Sequence, residues 1–227
     1  MPIVGEGGPE SLVIYHQGSM AGYTSSIFLL PGSNSAVVVL TNSIQLNEAA
    51  DWVGELLLET LLDSPNPHDY KLLAKESADS FVAKFPAMIK ELEEQRVQGT
   101  AAKPLHAYVG KYYNSIHNFF IEISLVNDSL YLAFQGGRDN QVWKMEHYHY
   151  DTFTWLMSRD EAIKHSRFPY AGKDLYKIEF KASKDEKINS LLWAHEVGWH
   201  HSEEFMREDG EATTISHDLF HKLLKVL

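Results

Sequence analysis

Three observations predict an α+β chain built in two parts. Residues 12–41 hold three apolar runs separated by turn chemistry, the pattern of a three-stranded meander. Two stretches with helical spacing follow, over 46–62 and from about 69 to 97. From residue 105 the pattern changes to a series of short strand-like runs, as expected of an antiparallel barrel or sandwich whose closure protects its edges.

The meander runs are Leu12-Val13-Ile14-Tyr15, Ile27-Phe28-Leu29-Leu30 and Ala36-Val37-Val38-Val39-Leu40, bounded by Pro31-Gly32-Ser33-Asn34 and Thr41-Asn42-Ser43. In the first helix, apolar residues at 46, 49, 50, 53, 56, 57, 58, 61 and 62 recur at helical intervals. Asn42 or Asn47 is placed to cap its start, and Asp63-Ser64-Pro65-Asn66-Pro67 ends it. The second helix is expected to break near Pro86, because an interior proline removes a backbone hydrogen bond. Its charged end, Glu91-Leu92-Glu93-Glu94-Gln95-Arg96, reads as a solvated linker.

Strand-like runs then cover 119–125, 130–134, 142–149, 152–157, 175–180, 188–195 and 203–207. Asn127-Asp128 and Gly136-Gly137-Arg138-Asp139-Asn140 supply turns, and Ile215–Leu224 reads as a short amphipathic helix covering one end. The expected divisions are 1–63, a helical linker over 64–104, and a barrel domain over 105–227 with that last helix.

Composition is that of a soluble globular protein, 44% hydrophobic and 22% charged. A net charge of −11 without a Lys/Arg cluster argues against a nucleic-acid surface. The absence of cysteine excludes disulfides, thiol nucleophiles and thiolate metal sites. No apolar run approaches the length of a membrane span, and the first residues lack a signal-peptide pattern, so a cytoplasmic location is expected.

The segment Tyr15-His16-Gln17-Gly18-Ser19-Met20 resembles the third active-site motif of the serine β-lactamase and penicillin-binding-protein superfamily, in the class C and esterase-like branch, where His-x-Gly often replaces Lys-Thr-Gly. Tyr108-Val109-Gly110-Lys111-Tyr112 is similar to the Tyr-x-Gly-x-Tyr opening of the lipocalin-like barrel appended to many of these proteins. Motif, Ala50-Asp51-Trp52 helix and barrel follow in the order seen in fungal-type β-lactamase-like proteins. The resemblance implies a partial β-lactamase-like sheet with helices, followed by an antiparallel lipocalin-like barrel.

That chemistry needs Ser-x-x-Lys, which places an amine one helical turn from the hydroxyl it activates. No serine here has a lysine three residues on. A Tyr-x-Asn string, Tyr112-Tyr113-Asn114, falls after the strand motif, whereas the family order puts it before. In relatives, the backbone N–H just after the motif glycine helps form the oxyanion hole. That role maps onto Ser19, with His16 facing the substrate and Gly18 leaving the strand open. The opposing reading keeps these residues for strand packing alone.

His147 and His149 alternate along one run and are expected on one face; His195, His200 and His201 add a second group. The spacing His195-Glu196-Val197-Gly198-Trp199-His200 is not His-Glu-x-x-His, so a polar barrel lining is expected rather than a metal site, and no cofactor is implied. Trp155 and Trp193 either fill the barrel core or, with these histidines, contact a small ligand in its mouth.

Two functional classes follow, beside a third reading as an inert truncation product or interaction module with no chemistry. One is a β-lactamase-related hydrolase or transesterase of amide or ester bonds that lacks its own nucleophile and so is not an autonomous serine hydrolase. The other is a small-molecule-binding protein, or a non-hydrolytic isomerase or cyclase of secondary metabolism, using a barrel pocket. Three strands make little core of their own, so the apolar surface around 12–40 is expected to be covered by the helices at 46–62 and 69–97 or by self-association through the sheet edge, a homodimer being the outcome of the second.

Overall fold

The computed structural model describes residues 4–44, 46–137, 141–167, 172–195 and 201–208. The protein is a mixed α+β chain that divides into two compact units, residues 1–87 with 162–169, and residues 88–161 with 170–227. The five-residue run 196–200 and the expected C-terminal helix lie outside the described residues. Among the described residues no helix is long and apolar enough to cross a membrane.

In the first unit, β1 (Ile14–Met20), β2 (Tyr23–Leu30) and β3 (Ser35–Thr41) form the antiparallel meander in chain order. Gly22 at φ +89° and Asn34 at φ +52° supply the left-handed conformations that its two turns need. The register puts Ile14, Leu29 and Ala36 in one row, His16, Ile27 and Val38 in the next, and Gly18, Ser25 and Leu40 in a third, all on one face. The opposite face carries Tyr15, Gln17, Ser26, Phe28, Leu30 and Val37.

Helix α1 (Ala49–Leu61) covers that second face, where Phe28, Leu30, Val37 and Leu58 bury one another. The Ser26 hydroxyl donates to the Ala50 carbonyl at 2.8 Å and fixes the first turn of the helix to β2. The first face is not covered by either helix: Ile14 is 52%, Val38 56% and Leu40 77% accessible. Neither asparagine caps α1. Glu48 occupies the cap position without a side-chain capping bond, while Asn47 donates instead to the Ala74 carbonyl at 2.8 Å.

Helix α2 (Tyr70–Glu94) is capped by Asp69, whose carboxylate accepts from the Lys71 and Leu72 N–H groups at 3.1 and 3.0 Å. It does not break at Pro86. Val82, whose carbonyl loses its donor there, is exposed along with Pro86, so water can replace the missing bond. A third helix, α3, is short (Arg159–Lys164).

The second unit is a nearly closed antiparallel barrel sheet. Its strands are β4 (Gly110–Tyr113), β5 (Phe120–Val126), β6 (Ser129–Phe134), β7 (Val142–Lys144), β8 (Glu146–His149), β9 (Thr152–Thr154), β10 (Lys177–Ala182), β11 (Ile188–Trp193) and β12 (Glu203–Arg207). They pair in the order β7-β6-β5-β4-β12-β11-β10-β9-β8. The two ends of that order, β7 and β8, are separated in sequence by Met145 alone. The run 142–149 is therefore one bent strand that hands its pairing from β6 to β9. The Met145 N–H still donates to the Leu130 carbonyl at 2.8 Å, and Glu146 already pairs with Thr154. Bending at one residue closes the sheet without a free edge at that seam.

The interior of this sheet is aromatic. Phe134 meets Trp193 at 4.8 Å between ring centroids, Trp143 at 5.1 Å and Trp155 at 5.3 Å, with Tyr108, Tyr112 and Ile178 buried in the same cluster. The end of α2 is not simply solvated. Leu92 is buried, Arg96 donates to the His147 carbonyl at 2.6 Å and lies over the Tyr148 ring, and Tyr148 donates to the Leu92 carbonyl at 2.5 Å. These partners lie about fifty residues away in sequence, beyond what charge spacing along one helix can reveal.

Candidate functional site

Strand β1 pairs with β2 alone among the described strands, so alternate backbone groups along Tyr15–Ser19 face outward without a ladder partner. The pleat sends His16 and Gly18 to the uncovered face and Ser19 to the α1 face, where its hydroxyl approaches Glu48 Oε1 at 3.5 Å. The side chains of His16 and Ser19 therefore cannot meet over one ligand. Only the Ser19 backbone shares the edge with Gly18. A β-carbon on Gly18 would lie 2.7 Å from Ser25 Oγ, so cross-strand packing alone already favours glycine there. Gly18 and Ser19 border a depression of about 540 Å³ together with Tyr23, Ser25 and Leu40.

The barrel residues are dispersed. Trp155 and Trp193 lie in the aromatic core, and both indole N–H groups donate to the Leu175 carbonyl, at 3.0 and 2.8 Å. His147 and His149 are separated by a bulge: His147 pairs with Phe153 and His149 with Thr152, leaving Tyr148 as the inserted residue. The simple alternation expected of them is thereby interrupted. His147 Nε2 contacts the Tyr150 carbonyl at 2.9 Å, and burial lowers the His149 pKa. His195 pairs with Glu203 at 2.5 Å and packs on Trp193 and Phe205. His201 is exposed, and His200 lies outside the described residues.

The Tyr-x-Gly-x-Tyr segment has a structural explanation. Tyr112 donates to the Tyr108 carbonyl at 2.7 Å, and Tyr108 donates to Asp151 at 2.5 Å while accepting from the Lys103 N–H at 2.8 Å. Gly110, at φ +157°, makes room for Arg207, whose guanidinium donates to the Ala107 and Ile188 carbonyls at 3.0 and 3.1 Å. Asn114, the last residue of the Tyr-x-Asn string, organises the β4–β5 turn through a 3.1 Å bond from the Phe119 N–H to its side chain.

One arrangement escaped the sequence reading. Glu48, Asp51, Glu55 and Glu59 recur at helical intervals along α1, and the latter three are almost wholly buried. Glu59 is satisfied: His68 Nδ1 lies at 2.7 Å, and the His68 and Gly5 N–H groups donate at 2.9 and 3.3 Å. Burial opposes its charge, but these bonds outweigh burial and hold its pKa below the usual value. Asp51 receives the Tyr15 hydroxyl, which burial and the neighbouring carboxylates push to a higher pKa. Burial, then the charge of Asp51, raises Glu55 to about 7. The 3–4 spacing of acids was legible in sequence, but the apolar residues interleaved with them define the stronger pattern.

Residues 94–212 match the family described as "Domain of unknown function (DUF3471)", just over half of the 227 residues. The chain belongs to the DUF3471 family. The DUF3471 match takes in all nine strands of the barrel sheet. Among curated proteins no relative matches the chain. Of solved structures, it is similar to the C-terminal domain of a penicillin binding protein, with 24% identity and a TM-score of 0.34 over 50% of this chain and 95% of that one. It is also similar to the octameric penicillin-binding protein homologue from Pyrococcus abyssi, with 15% identity and a TM-score of 0.22, covering 86% of this chain. The DUF3471 chain spans about a third of that homologue's length, 33%.

Proposed function

We propose that this DUF3471 chain is of β-lactamase-related ancestry, in the fungal-type, class C and esterase-like branch, and carries the third-motif strand and appended barrel of a hydrolase or transesterase of amide or ester bonds. The observation that supports the reading is the position of His16-Gln17-Gly18-Ser19 on an uncovered edge strand, with an apolar face of Ile14, Val38 and Leu40 open beside it. An outward-facing N–H at Ser19 would serve as an oxyanion donor, a contribution of about 2.7–4 kcal/mol where such a donor is preorganised. His16 would face the substrate from the open side, and Gly18 would let the substrate backbone approach. The nucleophile and its base would come from outside these 227 residues, because no Ser-x-x-Lys is present in them.

The test is labelling of the purified chain with a fluorescent penicillin, together with turnover of a chromogenic short-chain ester. No adduct and no turnover above the uncatalysed rate is the expected result. An acyl adduct mapping to Ser19 or Ser25 would overturn it, since the chain would then hold a nucleophile of its own.

A further inference from the structure

A cavity of about 1040 Å³ lies between the α1 face of β1, helix α1 and the segment over residues 4–11. One side is apolar, formed by Val4, Val13, Phe28, Leu58 and Leu62. The other carries Glu48, Asp51 and Glu55 from α1, with Glu6 and Glu10 from the covering segment. Its lining contains five carboxylates and no lysine, arginine or histidine among the described residues.

Asp51 and Glu55 are each 3% exposed, one helical turn apart, and both line the cavity. Asp51 Oδ1 and Glu55 Oε2 are buried without a hydrogen-bond partner, although the Asp51 carboxylate as a whole receives the Tyr15 hydroxyl, and the Ser64 hydroxyl elsewhere in the lining is likewise unpartnered. An ionised carboxylate only accepts hydrogen bonds, and a buried one without a donor is strongly disfavoured. The missing complement is therefore a group that is positively charged and rich in N–H donors. Among the described residues no three His, Asp or Glu side chains converge as a metal would require. An apolar wall facing an acidic one also suits a molecule with a hydrocarbon body and a charged head better than a bare ion.

We infer that this cavity binds a small amphipathic organic cation, a primary amine or amidinium with an apolar body, whose head is held between Asp51 and Glu55 and whose body lies against Phe28 and Leu58. The cavity lies on the α1 face of β1, which lends it Tyr15 and Gln17, and the inference does not depend on the hydrolase reading. The groups facing Glu55 are Asp51 and Glu59 on its own helix, Glu48 at the helix cap, Tyr15 on β1, Glu6 and Glu10 on the covering segment, His68 and Tyr70 beyond the helix end, and the N-terminal ammonium, whose charge favours the ionised form. Without ligand, burial and then the charge of Asp51 keep a proton on Glu55 near neutrality; a bound cation displaces it. Binding thus releases a proton and weakens about tenfold between pH 8 and pH 6.

The experiment is isothermal titration of the full chain with phenethylamine and benzamidine, in two buffers of different ionisation enthalpy. Saturable one-to-one binding with proton release at pH 7 is expected, and 3-phenylpropionate, with an acidic head on a similar body, should not bind. E55Q and D51N should each weaken binding at least tenfold, whereas E76Q, exposed on α2 and outside the cavity lining, should change it less than twofold. Circular dichroism and a urea midpoint at or above that of the parent show that E55Q is folded. Failure of both amines to bind at millimolar concentration, equal binding to E55Q, or displacement of the amines by calcium or magnesium would each overturn the proposal.

Discussion

Gly54 and Phe28 touch so closely that no side chain fits between them: a β-carbon on Gly54 would lie 2.5 Å from Phe28 Cε2 and 2.6 Å from Ser26 Oγ. In a helix interior, alanine is ordinarily preferred to glycine by about 1 kcal/mol. Here the contact reverses the sign. G54A should lower stability by about 1–3 kcal/mol through overpacking, read as a lower urea midpoint at unchanged m-value. A neutral or stabilising result would mean that α1 can move off β2.

The same pair shows where the sequence stops being informative. The apolar runs define three strands and a helix, but both faces of the meander are apolar. Alternation alone cannot say whether α1 covers the Phe28 face or the Ile27 face. Gly54 and Ser26 settle it, the first by its absent side chain and the second by its bond to Ala50. In the barrel the run 142–149 is legible as a strand, but its bend at Met145 is not, because the bend is set by pairing with β6 and β9. The bulge at Tyr148 follows from the same cause, and it undoes the alternation read for His147 and His149. The acidic stripe of α1 was present in the sequence but hidden, since burial of charge is decided by the neighbouring strand.

Tyr108 links the barrel's opening turn to Asp151. Replacing it with phenylalanine leaves the Asp151 carboxylate and the Lys103 N–H without their shared hydroxyl. Y108F should cost about 1–3 kcal/mol, and Y112F, which frees only the Tyr108 carbonyl, about 1 kcal/mol. Because the two bonds share Tyr108, the double variant should differ from the sum of the singles in a double-mutant cycle. Strict additivity would show that the two hydroxyls act independently.

Pro86 sits inside α2 on an exposed surface, with the Val82 carbonyl left to solvent. P86A restores the backbone donor and removes the ring from the preceding turn. It should raise stability by about 1–3 kcal/mol and increase far-UV helicity. An unchanged midpoint with unchanged ellipticity would show that the proline is accommodated without cost.

Glu55 and Glu59 lie one turn apart on α1 yet have opposite pH dependences. Burial beside Asp51 raises Glu55 from the ordinary 4.5 to about 7, so between those values the folded protein holds a proton that the unfolded chain has released. Its contribution therefore turns unfavourable as pH rises from about 4.5, and the full cost, on the order of 3 kcal/mol, is present above pH 7. E55Q should stabilise the protein by that order at pH 8 and change little at pH 4. Glu59 is held low by bonds from His68 and Gly5, so its stabilisation is present above pH 4.5 and is lost as pH falls through its folded value. E59Q should accordingly destabilise at pH 7 and lose its effect in acid. Urea midpoints of the three proteins from pH 4 to pH 8 separate the cases. Parallel curves for E55Q and the parent would mean that Glu55 ionises normally, and a stabilising E59Q would mean that its three bonds do not outweigh its burial.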